Sequence, residues 1–208
     1  MKACWYFDFI SPYAYLQAAQ LDELAKEIDI EPRPVLFAAL LNHWGQLGPA
    51  EIPPKRLFTY RHVQWLAQRS GVELNVPPAH PFNPLRLLRL ALVLDSDPEA
   101  VQRIFRYVWQ EGRLPEDDAA FEALAAELGV ADAWQRIEAP EVKGRLRRHG
   151  EEAIAAGVFG VPTFVADGYV FWGLNAGDML LDYRRDPRLF DSDAMRRIAR
   201  LPELARRR

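Results

Sequence analysis

A strand pattern changes into a helix pattern within Phe7-Asp8-Phe9-Ile10-Ser11-Pro12-Tyr13-Ala14. Residues 3–10 are almost continuously apolar and rich in aromatic side chains, which predicts a central strand covered on both faces. Ser11 is a favourable helix N-cap, and Pro12 is well tolerated at the first helical position. Apolar residues then recur in steps of four and three as far as Ile28, which predicts a helix packed on a sheet. Ser11 is therefore expected at a strand-to-helix junction, where free backbone N–H groups favour an anion.

Further strands are predicted on both sides of a helical middle. A second strand over about Arg33 to Phe37 gives a β-α-β unit with a parallel pair. Strands are expected again over 163–166 and 169–172, because Asp167-Gly168 between them is a strong hairpin signal. A last helix is expected to begin near Asn175 and to end before Asp186-Pro187.

The middle of the chain predicts helices. Capping side chains precede prolines at Asn83-Pro84 and Asp97-Pro98, and apolar runs follow both pairs. Further helices are expected over 55–69, 117–128 and 141–156. This order predicts an α/β fold in which one domain, residues 1–40 and 157–208, is interrupted by an all-helical insertion domain, residues 41–156. The insertion should form one wall of a cleft.

Composition excludes several classes of protein. The chain has 208 residues, half of them hydrophobic, and its net charge of −3 argues against a dedicated nucleic-acid binder. Charges interrupt every apolar run before membrane-spanning length, so no membrane association is expected. Cys4 is the single cysteine and no signal-peptide pattern follows Met1, so the expected location is the cytoplasm. The four histidines lack the spacing of metal ligands, and no metal site is expected.

A second loop, Gly157-Val158-Phe159-Gly160-Val161-Pro162-Thr163-Phe164, precedes the third strand. With Ser-Pro before the first helix and Val-Pro-Thr before this strand, the chain resembles the thioredoxin fold in its DsbA-like, helix-inserted form. Oxidoreductases of that superfamily place Cys-Pro-x-Cys where this chain has Ser11-Pro12-Tyr13-Ala14. Because both cysteines are absent, disulfide exchange is excluded.

Within this superfamily the chain resembles one family over nearly its whole length. Three stretches of sequence are similar to the 2-hydroxychromene-2-carboxylate isomerases and the related kappa-class glutathione transferases. These stretches are residues 6–16, the Gly157–Thr163 loop and Phe171-Trp172-Gly173. Members use reduced glutathione to isomerise 2-hydroxychromene-2-carboxylate to trans-o-hydroxybenzylidenepyruvate in aromatic catabolism. The resemblance therefore implies glutathione as the cofactor and a small aromatic molecule as the substrate.

The resemblance also implies roles for particular residues. Ser11 matches the family's catalytic serine, beside the glutathione sulfur. Val161 matches the residue that precedes a cis-proline in the family, and Pro162 matches that proline. The backbone of the preceding residue pairs with the cysteinyl part of glutathione. The γ-glutamyl end is expected on the segment Trp172, Gly173, Leu174 and Asn175. Where many members have Gly-Asn-Asp-Arg after the tryptophan, this chain has Asn175 in place of the aspartate and Ala176 in place of the arginine.

The helical insertion is expected to supply the substrate wall. Trp44 and Phe82 are predicted to enclose an aromatic ligand, and His43 or Asn83 to bind its carboxylate. Asn42, Glu51 and His80 complete the candidate set. The alternative for each of these residues is an ordinary place in an aromatic core or at a helix cap. No lysine stands near Leu41-Asn42-His43, where some members place one over the substrate.

The chemistry follows from the reactivity of thiols. A thiolate is the nucleophile, and a serine hydroxyl at a helix N-terminus stabilises it. In this hypothesis a transient thiolate adduct turns a double bond into a single bond, rotation follows, and glutathione is expelled. The alternative role of Ser11 is that of an N-cap alone. Asp8 either orients active-site groups or pairs with the backbone.

Two other functions remain open at this point. One is a kappa-like glutathione S-transferase, which would release a conjugate instead of expelling the cofactor. The other is a non-catalytic thioredoxin-fold binding protein that has lost its cysteines. A homodimer is expected by analogy with the family alone.

Overall fold

The computed structural model describes residues 1–202, and a four-stranded mixed sheet lies at its centre. The strands are β1 (Lys2–Phe7), β2 (Asp29–Pro34), β3 (Thr163–Ala166) and β4 (Tyr169–Trp172), and their order in the sheet is β2-β1-β3-β4. β2 is parallel to β1, whereas β3 is antiparallel to both β1 and β4. The predicted α/β order, β-α-β followed by β-β-α, is confirmed. Residues 203–208 of the predicted α/β domain lie outside the described residues.

Helices fill the long interval between β2 and β3. Before it, α1 (Pro12–Ala18) and α2 (Leu21–Ala25) connect β1 to β2, and after β4 come α10 (Ala176–Arg185) and α11 (Asp193–Ile198). The interval holds α3 (Phe37–Trp44), α4 (Pro53–Ser70), α5 (Leu85–Val93), α6 (Pro98–Trp109), α7 (Asp118–Glu127), α8 (Ala133–Glu138) and α9 (Pro140–Ala155). The division into two domains at residues 40 and 157 stays a prediction.

Three predicted boundaries are wrong. β1 ends at Phe7 and not at Ile10, because the chain turns at Asp8, whose carboxylate accepts the N–H of Ile10. β2 covers Asp29–Pro34 and not 33–37, and Phe37 begins α3. β2 is an edge strand, which explains how it accommodates two prolines.

The helix expected to run unbroken from Pro12 to Ile28 is also divided. The N–H of Gln20 bonds to the carbonyl of Gln17, three residues back, and this tighter turn separates α1 from α2. Of the two helix starts that a capping residue before proline predicts in the helical interval, one is confirmed. Asp97 accepts the N–H of Ala100, whereas α5 begins one residue later than Asn83-Pro84 predicts.

One core joins the sheet to the helical interval. Trp5 and Phe7 stack at 4.4 Å between ring centroids, and Phe105 of α6 lies 5.6 Å from Phe7 and 4.6 Å from Phe9. All four rings are buried, so α6 is fixed against the face of β1. The consequence is that helices beyond β2 reach the turn that carries Ser11.

Within residues 1–202, no helix combines the length and the apolar character that crossing a membrane requires.

Candidate active site

Four chain segments meet along one edge of the sheet, the edge at which β1, β2 and β4 end and β3 begins. Tyr6 pairs with Thr163, and Thr163 pairs with Trp172, so the end of β1, the start of β3 and the end of β4 lie side by side. β2 is parallel to β1 and ends at this edge as well. The turn to Ser11, the Val161-Pro162 loop, the segment after Trp172 and the start of α3 therefore converge. The sequence predicts a site in these segments.

Ser11 is the N-cap of α1. Its backbone is extended, with φ −90° and ψ 115°, and its Oγ accepts the N–H of Ala14 at 3.2 Å. The residue is 8% exposed. Capping uses a lone pair of the oxygen, and among residues 1–202 no acceptor takes the hydroxyl hydrogen. The cap alternative and a donor role are therefore compatible, because they use different parts of one hydroxyl group.

Asp8 holds the turn before Ser11. Its carboxylate accepts the N–H of Ile10 at 3.1 Å and the N–H of Phe37, the first residue of α3, at 2.8 Å. The side chain is fully buried. Burial raises the pKa of Asp8 to about 7, and the two backbone hydrogen bonds act in the opposite direction. Asp8 thus pairs with the backbone and, by doing so, fixes α3 beside the Ser11 turn.

The Val161–Pro162 peptide bond is cis, as the resemblance implies. Val161 is buried, yet neither its N–H nor its carbonyl has a hydrogen-bond partner in the described part of the chain. The carbonyl of Pro162 accepts the N–H of Gly173 at 2.9 Å. The loop before β3 is thus fastened to the segment after β4, and Val161 offers a backbone donor and a backbone acceptor to a ligand.

The segment after β4 is held from α1. Gln17 donates to the carbonyls of Gly173 and Leu174 at 2.8 and 3.1 Å and accepts the indole N–H of Trp5 at 2.7 Å. Gly173 has φ +99°, which favours glycine and turns the chain toward α10. Asn175 is exposed, and although it is the N-cap of α10 its side chain makes no capping bond. Its amide is therefore free to contact a ligand.

Trp172 projects from the end of β4. The side chain is 57% exposed, and its ring lies 5.0 Å from that of Phe159 in an edge-on arrangement. A β-carbon added at Gly160 would lie 2.7 Å from the indole nitrogen, so the ring rests directly on the Gly160 backbone. Gly160 is thus needed for the position of Trp172.

The predicted substrate-wall residues are divided between two places. Asn42, His43 and Trp44 are exposed at the end of α3, where the indole N–H of Trp44 donates to the Val158 carbonyl at 2.9 Å. The His43 ring contacts that of Trp44 edge-on at 5.0 Å. Trp44 therefore lies next to the loop before β3, with the His43 ring against it.

Three further wall residues have structural contacts. Phe82 is only 8% exposed and packs near Trp109. The side chain of Asn83 accepts the N–H of Leu85, and the carboxylate of Glu51 accepts that of Gly48. Asn83 acts just before α5, Glu51 acts at a short 3-10 helix over Pro49–Glu51, and Phe82 belongs to the core. Contact of any of the seven wall residues, His80 included, with a substrate stays a prediction.

Two polar groups at the site were not identified from the sequence. Gln17 lies on the apolar face of α1, between Ala14 and Leu21, and a lone amide on such a face is a usable signal. The hydroxyl of Tyr13 lies 3.0 Å from Nδ1 of His62 on α4, and no local pattern indicates this contact. No group of three or more His, Cys, Asp or Glu side chains within residues 1–202 is arranged to hold a metal ion.

Comparison with known proteins gives the family. The family model for the DSBA-like thioredoxin domain matches residues 4–184. The 2-hydroxychromene-2-carboxylate isomerase of Sphingobium xenophagum is 30% identical over 189 residues, which cover 88% of this chain and 97% of the relative. Glutathione S-transferase kappa 1 of Rattus norvegicus is 26% identical over 198 residues, 84% of this chain and 87% of the relative.

A comparison with solved structures points to the same family. The structure of a 2-hydroxychromene-2-carboxylate isomerase superposes with a TM-score of 0.76 at 25% sequence identity, covering 96% of this chain and 97% of the other. The thioredoxin-like fold expected from the sequence is thereby confirmed. The chain belongs to the DSBA-like thioredoxin domain family and, within it, to the 2-hydroxychromene-2-carboxylate isomerase family.

Proposed function

We propose that this protein is a glutathione-dependent isomerase of the 2-hydroxychromene-2-carboxylate type and that Ser11 stabilises the reacting thiolate. The observation that carries the proposal is the free hydroxyl hydrogen of Ser11 at the edge where the Val161-Pro162 loop and the segment after Trp172 converge. The names of the relatives, isomerases and kappa-class glutathione transferases, support an enzyme of this class.

The free groups at this edge fit glutathione. A peptide ligand needs a backbone donor and acceptor, and Val161 offers both without a competing partner in residues 1–202. The γ-glutamyl end needs polar partners, and the amide of Asn175 is exposed and uncommitted. Asp178, in the first turn of α10, adds a carboxylate nearby that favours the ligand's ammonium group.

Each residue then has a defined task. When bound, glutathione supplies a thiol that adds reversibly to a conjugated substrate. Ser11 donates its hydroxyl hydrogen to the sulfur and so favours the ionised thiol, which is the reactive form. Val161 orients the cysteinyl part of the ligand through its backbone, and the segment after Trp172 holds the other end. Fixed orientation of the reacting atoms contributes to the rate independently of the charge effect.

The proposal includes the surroundings of the reaction. The substrate is a small aromatic carboxylate received between the Ser11 turn and the exposed end of α3, which carries Asn42, His43 and Trp44. The cytoplasm is the proposed location, since reduced glutathione is abundant there and Cys4 offers no internal disulfide. A homodimer is proposed from the family alone, and sedimentation equilibrium tests it.

The first experiment is a calorimetric titration with reduced glutathione, followed by an assay with 2-hydroxychromene-2-carboxylate. We expect saturable binding, and we expect Ser11→Ala to lower kcat by about a hundredfold to a thousandfold while the protein stays folded. Ser192→Ala is the matched control, because Ser192 also caps a helix through Oγ, accepting the N–H of Met195. Losing either cap should cost the same stability, about 1 kcal/mol. Because the two costs match, a fall in turnover in Ser11→Ala alone would come from the role of Ser11 in the reaction.

The other outcomes separate the alternatives. A stable glutathione conjugate with electrophilic aromatic compounds would identify a kappa-like transferase instead. No binding at millimolar glutathione would contradict the proposal and favour a non-catalytic binding protein. An unimpaired Ser11→Ala variant would remove the role given to this hydroxyl.

A further inference from the structure

Two ring N–H groups from the helical interval bind the two carbonyls before Ser11. The indole of Trp109, at the end of α6, donates to the carbonyl of Phe9 at 2.8 Å. Nε2 of His80, in the loop before α5, lies 2.8 Å from the carbonyl oxygen of Ile10. The first contact is buried and joins residues one hundred positions apart, and the second joins residues seventy positions apart. The Ser11 turn is therefore anchored from outside the sheet.

The contacts of His80 define its tautomer. A carbonyl oxygen can only accept, so Nε2 must carry the hydrogen in the contact with Ile10. Nδ1 lies 2.8 Å from the hydroxyl of Tyr60 on α4, and this hydroxyl also lies 3.2 Å from the His80 carbonyl oxygen, so its one hydrogen is shared between these two acceptors when the ring is neutral. Burial lowers the pKa of His80 and outweighs the hydrogen bond to the Ile10 carbonyl, which acts in the opposite direction, and the charge of Arg56 adds to the lowering. The ring is therefore neutral near pH 7, with a donor on one side and an acceptor on the other.

Packing fixes the plane of the His80 ring. Its centroid lies 5.5 Å from that of Tyr60, 5.9 Å from that of Phe82 and 5.5 Å from that of Trp109. The contacts with Tyr60 and Phe82 are edge-on. Because aromatic side chains surround it and both nitrogens are bonded, the ring has one favourable orientation.

This arrangement bears directly on Ser11. The carbonyl of Ile10 and the N–H of Ser11 belong to one planar peptide group. His80 holds the carbonyl end, and the carbonyl of Asp8 accepts the N–H end at 3.0 Å. With both ends fixed, the direction in which the Ser11 side chain leaves the backbone is fixed as well.

We propose that His80 is a positioning residue for Ser11, acting through the Ile10–Ser11 peptide, and that Tyr60 holds its ring in the required tautomer. The proposal rests on the function proposed for Ser11. It gives His80 a task different from the substrate contact expected from the sequence, and it gives Phe82 the task of supporting the His80 ring. The helical interval would then organise the reacting hydroxyl in addition to forming the wall of the cleft that the sequence predicts.

Two variants of nearly equal size isolate the N–H group. His80→Gln retains an N–H donor at the position of Nε2, whereas His80→Met has similar length and no donor. We expect His80→Met to lower kcat about tenfold to a hundredfold, with KM for glutathione changed less than about threefold. The pKa of bound glutathione, followed by thiolate absorbance, should rise in the Met variant. His80→Gln should recover most of kcat. Equal kcat values for the two variants would overturn the proposal.

A second measurement does not depend on glutathione. In His80→Met, amide hydrogen exchange at Ser11 should accelerate about tenfold relative to His80→Gln, while exchange at Phe164 in the sheet stays unchanged. Equal exchange at Ser11 would overturn the positioning role even in an inactive protein. If glutathione binding is absent and Ser11 exchange still separates the variants, the proposed function fails and the positioning role stands.

A third measurement uses the unaltered protein and so needs no variant that folds. Nitrogen NMR at neutral pH reports which ring nitrogen of His80 carries hydrogen. Hydrogen on Nε2 is expected. A ring with hydrogen on Nδ1 alone would overturn the proposal, because it has nothing to donate to Ile10.

Discussion

The side-chain amide of Gln17 donates a hydrogen bond to the carbonyl of Gly173 at 2.8 Å, across 156 positions of sequence. The same side chain accepts the indole N–H of Trp5 at 2.7 Å. One buried amide therefore links β1, α1 and the segment after β4. That segment is where the family resemblance places the γ-glutamyl end of glutathione, so a residue outside the predicted site determines how firmly the site is held.

Replacing Gln17 by methionine should damage both stability and binding. The variant retains the length of the side chain but leaves the indole N–H of Trp5 buried without an acceptor. We expect a loss of about 1–3 kcal/mol in the free energy of unfolding. Glutathione affinity should also fall by about threefold to tenfold, because the 173–174 segment becomes more mobile before binding. Urea unfolding and calorimetry measure the two effects.

The control is Gln20→Met, on the exposed junction between α1 and α2. It makes the same chemical change without removing a buried hydrogen bond, and it should alter neither quantity. Equal effects at residues 17 and 20 would contradict the role assigned to the buried amide.

Asp8 should make the protein less stable as the pH rises. Its folded-state pKa of about 7 lies above the ordinary value of 3.8, so the folded protein binds this proton more tightly than the unfolded chain does. The favourable contribution is complete below about pH 4 and is lost as the pH rises toward and through 7. Between pH 5 and pH 8 the loss amounts to about 2–3 kcal/mol.

Asp8→Asn removes this titration and provides the test. The difference in unfolding free energy between the variant and the unaltered protein should shift in favour of the variant as pH rises, since other groups cancel in the difference. The variant also places an amide N–H toward either Ile10 or Phe37, which adds a cost that does not depend on pH. A difference that stays constant from pH 5 to pH 8 would show that Asp8 does not titrate in this range.

Several helix starts and the hairpin turn of the fold can be predicted from local sequence patterns. Ser11 and Asp97 cap helices as their sequences predict, and the Asp167-Gly168 turn joins β3 to β4. These features depend on residues within a few positions of one another, so a single sequence contains the information. β2 is the exception, because Asp29–Pro34 is polar and proline-rich and only its position at the sheet edge makes it a strand.

The contacts that support the site are harder to predict from the sequence. The resemblance places Ser11, Val161 and the segment after Trp172 together, and the pairing of Tyr6 with Thr163 accounts for that convergence. The supporting contacts of Gln17 and His80 connect residues far apart in sequence. Neither side chain has a periodic pattern that marks its partner, so these contacts require the folded structure.

Restoring a carboxylate at position 175 should tighten glutathione binding. Asn175→Asp places a negative charge near the expected position of the γ-glutamyl ammonium, and a charged hydrogen bond at this exposed site should increase affinity about tenfold. The helix N-terminus of α10 accommodates the new charge, so stability should not fall. The gain should shrink at high salt because exposed charges are screened.

A ligand-side control isolates the interaction. A glutathione analogue that lacks the α-amino group should bind Asn175→Asp and the unaltered protein equally well. Tighter binding of that analogue by the variant would show that the ammonium is not the partner of residue 175.

The position of Trp172 should depend on the absence of a side chain at Gly160. An alanine β-carbon there would lie 2.7 Å from the indole nitrogen, closer than such atoms approach, and the 57% exposed ring is free to move away. We therefore expect Gly160→Ala to retain its fold and to lose about threefold to tenfold in glutathione affinity, because a displaced ring no longer borders the segment before Asn175. Gly150→Ala is the control, since a β-carbon at that helical position meets nothing within 4 Å and alanine favours the helix. Calorimetry on both variants measures the affinity for glutathione. Unchanged affinity in Gly160→Ala would exclude Trp172 from the binding surface.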